Sequence, residues 1–266
     1  MVQLEKPAVE DLTKFAVEMV RTVGDEALAY YGKGNPEVKF DEELVTAAEL
    51  HLVELFRGKL HERFPQHGLF GDDLPSKDYV HGQEGYLWIL DALDGVANFQ
   101  AGVPIWGTSL ALLENFWPIL GVFYMPVTGD LYSARAGQKA FWGQEPIRIP
   151  NVGDLSNESL LLTYSRFHNH YHSVFPGKIR NLGSTAAHIC YVARGRAEAA
   201  LLAHVSYQDL AAAQIILAAA GGEIRKLDGS AFHLSEYLGG SRIEEHLLAA
   251  PKGAHSSIAM YLEELG

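Results

Sequence analysis

The feature that most constrains this chain is a short apolar run, Tyr86-Leu-Trp-Ile-Leu90, that stops abruptly at Asp91. A run of this length and composition suits a central strand. Asp91 and Asp94 then stand where the strand gives way to a turn at Gly95. A fold that buries the strand must bring two acids to one edge of its core, and like charges gathered there are unfavourable without a cation.

The elements on either side can be read from periodicity. From Ala8 to Tyr31, Val9, Leu12, Phe15, Ala16, Met19, Val20, Val23, Ala27 and Leu28 recur at spacings of three and four, which predicts an amphipathic helix. A loop follows at Tyr31–Pro36. A second helix is predicted from Glu42 to Phe64, with Leu44, Val45, Ala48, Leu52, Leu55, Phe56 and Leu60 on its buried side, ending at Pro65. Beyond the acidic turn, Gly107–Glu114, Trp117–Met125, Gly129–Ala136 and Ala140–Trp142 read as successive strands of an antiparallel meander.

Past Pro150 the pattern changes to alternating element types. Ser159–Tyr164 reads as strand, Thr185–Arg194 as helix, Ala197–Leu202 as strand and Tyr207–Ala220 as helix. Gly221 and Gly222 close that last helix, and Glu223–Lys226 leads into a hairpin at Asp228-Gly229. The fold class is therefore mixed α/β (α+β), with an N-terminal half over 1–150 and a smaller α/β half over 151–266 that complete one site together.

Composition narrows the function. Apolar residues make up 48% and charged residues 20% of the 266, the balance of a globular chain. A net charge of −12 argues against nucleic-acid binding, and an anionic substrate would need cations as intermediaries. Cys190 is the single cysteine, so no intrachain disulfide can form and a reducing, cytoplasmic setting is expected. No apolar stretch is long enough to span a membrane, and no membrane association is expected.

Three acidic sites carry the candidate chemistry. Asp91 and Asp94 can point into one small volume with backbone carbonyls between them, an oxygen set that suits a hard divalent cation. An isolated Asp-x-x-Asp-Gly is more often a solvated turn. Asp72 and Asp73 follow Phe70-Gly71 and also read as a surface turn, while Asp209 stands where it could simply cap a helix.

Taken in order, the motifs are Gly71-Asp-Asp73; Trp88-x-Leu-Asp91-x-Leu-Asp94-Gly-x-x-Asn-Phe99; Gly183-Ser-Thr-Ala-Ala187; and Asp209-Leu-Ala-Ala-Ala213 with Ala220-Gly-Gly222. This order resembles the inositol monophosphatase family, from the Leu44-Val-Thr46 region to Gly222. The resemblance implies a layered αβαβα fold, a homodimer, and hydrolysis of a small phosphorylated metabolite with two or three Mg²⁺ ions and sensitivity to lithium. By position, Asp72, Asp91, the Leu93 carbonyl, Asp94 and Asp209 correspond to metal ligands. Gly95, Val96 and Ala97 match a phosphate-binding turn, and Ser184 and Thr185 a substrate-facing turn. Glu49, in Thr46-Ala-Ala-Glu49, matches the acid that orients the attacking water.

The chain departs from the family pattern at several of these positions. Val96 stands where the family has the threonine that partners the water-orienting acid. Asp72 and Asp73 replace glutamates, and Ala92 replaces a proline. Tyr207 and Gln208 precede Asp209 without the usual tryptophan, and Leu202, Ala203 and His204 fill the stretch where a substrate-gripping glutamate is usual. The Val96 change motivates a second expectation, that of a regulatory binding protein with weakened catalysis.

Other features are assigned to surface or core. His168-Asn-His170-Tyr-His172 reads as a polar surface segment, because no cysteine or acid is spaced to complete a metal cluster. Phe116, Trp117, Phe123, Tyr124, Phe141 and Trp142 read as core and inter-strand packing. For Arg180, in Ile-Arg-Asn-Leu-Gly, the resemblance suggests a subunit or substrate-side role, and Lys39 matches only approximately a family lysine on a metal-proximal loop.

Overall fold

Alternation along one strand decides which helices meet which side of the larger sheet. The structure, a computed structural model, describes residues 7–34, 42–71, 85–150 and 154–265, with the side chains of 42–44 excepted. In strand β2 (Tyr86–Asp94), Trp88 and Leu90 join Leu110, Leu112, Leu120 and Val122 beneath helices α1 (Val9–Ala27) and α2 (Glu42–Arg63). Ile89 points the other way, with Ala111, Leu113, Phe123 and Met125. Each face is thus apolar, and a sheet covered on both faces needs a layer on either side.

That sheet has seven strands in sequence order. They are β1 (Gly68–Leu69), β2, β3 (Gly107–Glu114), β4 (Trp117–Met125), β5 (Asp130–Arg135), β6 (Ala140–Trp142) and β7 (Glu145–Ile147). β1 runs parallel to β2, and the remaining pairs are antiparallel. The short helix α3 (Val96–Ala101) joins β2 to β3.

Helices α4 (Thr185–Ala193) and α5 (Tyr207–Ala220) fill the middle of the molecule. Helix α5 buries Leu210, Ala211, Ala212, Ala213, Ile215, Ile216 and Leu217 on all sides, as a helix held between two sheets must. The second sheet has the order β10-β8-β11-β13-β12. Its members are β8 (Leu160–Thr163), β10 (Lys178–Arg180), β11 (Ala199–Leu202), β12 (Gly222–Lys226) and β13 (Leu247–Pro251). A ribbon of β9 (Tyr171–Ser173) with β14 (Leu262–Glu264) and the helix α6 (His255–Ala259) cover its outer face. The expected αβαβα layering is present, with a thin outermost layer.

Several expectations need correction. The β2 strand does not end at Leu90 but continues through Asp94. Gly222 opens β12, leaving Gly221, at φ 99°, as the lone left-handed cap of α5. Trp117 is 73% exposed at the start of β4 and takes no part in the core. The segment around His168 is a 3-10 turn (Phe167–Asn169) followed by β9, with His168 and His172 exposed, in keeping with a polar surface segment. Asp72, Asp73 and Lys39 lie outside the described residues.

Two layers approach closely at a glycine. A Cβ added to Gly121 in β4 would stand 2.4 Å from the Ala212 carbonyl oxygen of α5, which is backbone and cannot swing aside. Gly121→Ala is therefore expected to destabilise the protein by about 1–3 kcal/mol through overpacking. Urea unfolding measures this; an unchanged midpoint would mean that α5 is not seated on β4 as described.

Candidate active site

Residues three apart on a regular strand point to opposite faces, yet Asp91 and Asp94 serve one face. The reason is a β-bulge. Asp91 pairs with Ser109 and Asp94 with Gly107, so Ala92 and Leu93 together stand opposite Thr108 alone. The extra residue restores the phase, since Ser109 and Gly107 are two apart on β3. The Thr108 hydroxyl donates to the Ala92 carbonyl at 2.9 Å and holds the bulge. Leu93 packs its side chain into the core under α1 while its backbone lies within the bulge.

Asp94, only 6% exposed, reaches across to the start of α4. Its carboxylate accepts the Ser184 hydroxyl, the Thr185 N–H at 2.9 Å and the Ala186 N–H at 2.8 Å. Ser184 in turn caps the helix by accepting the Ala187 N–H at 3.1 Å. Its hydroxyl is therefore committed on both sides, whereas Thr185 uses only its backbone N–H on Asp94. Of the expected substrate-side pair, Thr185 has the side chain not spent on this contact.

Two turns are pressed together here. Gly95 has φ 92°, and a Cβ there would meet the Gly183 and Ile105 carbonyl oxygens at 3.1 Å. Gly183 has φ 78° and lies against the side chain of Asn98. That side chain donates to the Ile105 carbonyl at 2.6 Å and to the Leu182 carbonyl at 2.7 Å. His188 accepts the Leu182 N–H at 2.8 Å through Nε2, and burial lowers its pKa to about 4, which keeps the imidazole neutral. Asn98 and His188 were not singled out from sequence. Asn98 was visible as part of a motif, but His188 carried no signal in its spacing.

Asp91 is the least satisfied acid. One oxygen accepts the Leu93 N–H at 3.2 Å, while Oδ2 is buried with no hydrogen-bond partner among the described residues. Burial first, then the charges of Asp209 and Asp94, raise its pKa well above the usual carboxylate range, and Glu49 adds to the effect. Burial raises Asp94 to about 6 against the lowering effect of its hydrogen bonds, and burial also raises Asp209 and Glu49. Asp209 is the N3 residue of α5 in a reciprocal capping box, accepting the Ser206 N–H at 2.7 Å. Its capping role holds, and its charge still reaches Asp91.

Glu49 on α2 is half-buried, and Val96 at the start of α3 packs against the α1-side core. Gly95 precedes α3, and Val96 and Ala97 open it, so their N–H groups have no partner within the helix. The structure thus brings Glu49, Asp94 and Asp209 into electrostatic reach of Asp91. The donor set fits a hard divalent cation, being carboxylate oxygen throughout, with one buried oxygen unpartnered. Among the described residues, however, no three acid, histidine or cysteine side chains already form a metal cluster.

A carboxylate with one oxygen buried and other acids beside it should cost stability in the metal-free protein. Asp91→Asn is expected to stabilise that form by about 1–3 kcal/mol at neutral pH. Because the folded pKa of Asp91 lies above its unfolded value, the native state binds the extra proton as pH falls, and the advantage of asparagine shrinks in step. Thermal melts in chelator across pH 5–8 test this, and a variant less stable than the parent at neutral pH would contradict it.

The inositol monophosphatase family model matches residues 8–265. The chain is 32% identical over 219 residues to a histidinol-phosphatase of Chlorobaculum parvum, covering 79% of this chain and 83% of that protein. It is 28% identical to the Nus factor SuhB of Xylella fastidiosa, covering 85% and 84%, and 27% identical to inositol monophosphatase 1 of Homo sapiens, covering 85% and 87%. Among solved structures, the extragenic suppressor protein suhB of Bartonella henselae superposes with a TM-score of 0.75 at 20% identity over 96% of this chain and 98% of that one, a likeness of fold. With its layered fold and its acids gathered at the β2 bulge, the chain belongs to the inositol monophosphatase family.

Proposed function

We propose that the protein is a Mg²⁺-dependent phosphomonoesterase acting on a small phosphorylated metabolite. The observation that carries this reading is Asp91, whose buried Oδ2 has no hydrogen-bond partner among the described residues and whose carboxylate is within reach of the charges of Asp209, Asp94 and Glu49. Asp91, Asp94 and Asp209 would hold the metal, joined by the Leu93 carbonyl and by Asp72. When bound, the cation supplies Lewis-acid polarisation of the phosphoryl group and neutralises the charge that develops on the leaving oxygen.

The chain's own groups do the remainder. Glu49, with its pKa raised by burial, is suited to take a proton from the attacking water. The N–H groups of Gly95, Val96 and Ala97 are available to phosphate oxygens, and the Asp94–Ser184 contact fixes the distance between that turn and α4. Val96 offers Glu49 no hydroxyl, so the carboxylate must orient the water without the family's usual partner. The relatives named as a histidinol-phosphatase and an inositol monophosphatase support a compact polyol or amino-alcohol phosphate as substrate.

Val96 also favours a second reading, in which catalysis is weak and the protein acts through a partner, as the Nus factor name of one relative suggests for that protein. The two readings separate on phosphate release from histidinol phosphate and inositol monophosphate. Turnover should need Mg²⁺ and fall by about 10³-fold or more in Asp91→Asn, while Val96→Thr should equal or exceed the parent. Metal binding with no phosphate release from either protein would favour the second reading.

A further inference from the structure

The turn Gly95–Ala97 is anchored at both ends. Before it, Asp94 accepts from Ser184, Thr185 and Ala186 at the start of α4. After it, Asn98 donates to the Leu182 carbonyl at 2.7 Å and to the Ile105 carbonyl at 2.6 Å. Residues 94 and 98 flank the turn, and Leu182 and Ser184 flank Gly183. The two anchors differ in kind. The first is a carboxylate whose oxygens a cation would share, whereas the second joins neutral groups for which a hard cation does not compete.

The second anchor is only as firm as Leu182, which lies in the connector between β10 and α4. Its N–H donates to His188 Nε2 at 2.8 Å. With the N–H on His188 and the carbonyl on Asn98, both backbone polar groups of Leu182 are held by side chains. His188 belongs to α4, its own N–H donating to the Ser184 carbonyl at 3.1 Å. It thereby folds the connector back on the helix whose first N–H groups hold Asp94. An imidazole is the exception at this place. The other buried side chains of α4 are Ala186, Ala187, Ile189, Cys190, Val192 and Ala193, and His188 is only 4% exposed. Burying its two nitrogens costs free energy that a hydrogen bond must offset, and packing alone would be met by leucine. Because a backbone N–H can only donate, Nε2 is the acceptor and the ring proton sits on Nδ1.

We infer that His188 is a positioning residue of the candidate active site, holding the phosphate turn at Gly95–Ala97 in register with the Gly183–Thr185 turn through Leu182 and Asn98. Its effect on turnover rests on the proposed phosphatase reading; its effect on the position of the turn does not. The two turns leave little slack between them. A Cβ on Gly183 would fall 2.6 Å from Asn98 Nδ2, and one on Gly95 would fall 3.1 Å from the Gly183 carbonyl oxygen. If Nε2 is lost, the Leu182 N–H must turn to find another acceptor, and the Leu182 carbonyl shifts with it. Asn98 then follows, and it shares the short helix α3 with Val96 and Ala97. Their N–H groups lose their aim at phosphate oxygens, where a misplacement of about 1 Å can cost about 10²-fold in rate.

The test compares His188→Leu, which keeps an apolar volume and removes the acceptor, with His188→Gln, whose amide oxygen can replace Nε2. In the metal-free protein, the ¹H–¹⁵N signals of Val96 and Ala97 are expected to move or double in His188→Leu and to return toward the parent positions in His188→Gln. With Mg²⁺ and inositol monophosphate, kcat per folded molecule should fall by about 10–100-fold in His188→Leu and recover to within a few fold in His188→Gln. Mn²⁺ affinity, read by electron paramagnetic resonance, should stay at the parent value in both. A merely structural histidine predicts a different pattern: a lower melting temperature, with the Val96 and Ala97 signals and kcat per folded molecule unchanged. That pattern, or a His188→Gln variant no better than His188→Leu, would overturn the inference. Should His188→Leu not fold, His188→Met takes its place with the same expectations. If the parent hydrolyses no phosphate ester, the phosphatase reading fails separately and the amide signals decide: displaced signals support the positioning role and unmoved signals overturn it.

Discussion

Asp94 joins the two halves of the molecule through one buried carboxylate. It leaves β2 at the edge of the seven-stranded sheet and takes three donors from the first turn of α4, two of them backbone N–H groups that would otherwise lack partners. Negative charge at a helix N-terminus is favourable, so one contact caps the helix and fixes the spacing between the sheets. The Gly95 and Gly183 turns can press together because neither carries a Cβ, and Asn98 donates to the neighbouring Ile105 and Leu182 carbonyls.

This architecture accounts for why Asp91 is left unsatisfied. The bulge that aims Asp94 at α4 also turns Asp91 to the same face, where Asp209 arrives on α5. Each acid has a local structural role or position that packing dictates, yet together they crowd negative charge into a buried volume. Structural hydrogen bonds answer the charge of Asp94 and partly that of Asp209. They do not answer Asp91, and that asymmetry marks the point where a cation would do most.

Much of this was legible in sequence, for physical reasons. Long amphipathic helices and the meander declare themselves through period, and the acids at the strand tip declared themselves because an apolar run ended in charge. The bulge was not legible, since Asp91-Ala-Leu-Asp94 reads equally well as a turn; only the pairing with β3 shows that the strand continues. A cluster of three histidines was hidden for a different reason. His170, His204 and His246 sit on separate segments, and no local spacing reports that their rings meet where β11 ends and β13 begins. Trp117 was misassigned because a strand's first residues can overhang the layer that covers the rest.

The central claim is that the Asp91 carboxylate is the centre of a cation site created by the bulge. Anomalous diffraction from crystals grown with Mn²⁺ tests it most directly. The account predicts an anomalous peak in contact with Asp91 and shared with at least one of Asp94 and Asp209. A crystal in which Mn²⁺ binds elsewhere, with Asp91 Oδ2 still buried and unpartnered, would contradict it.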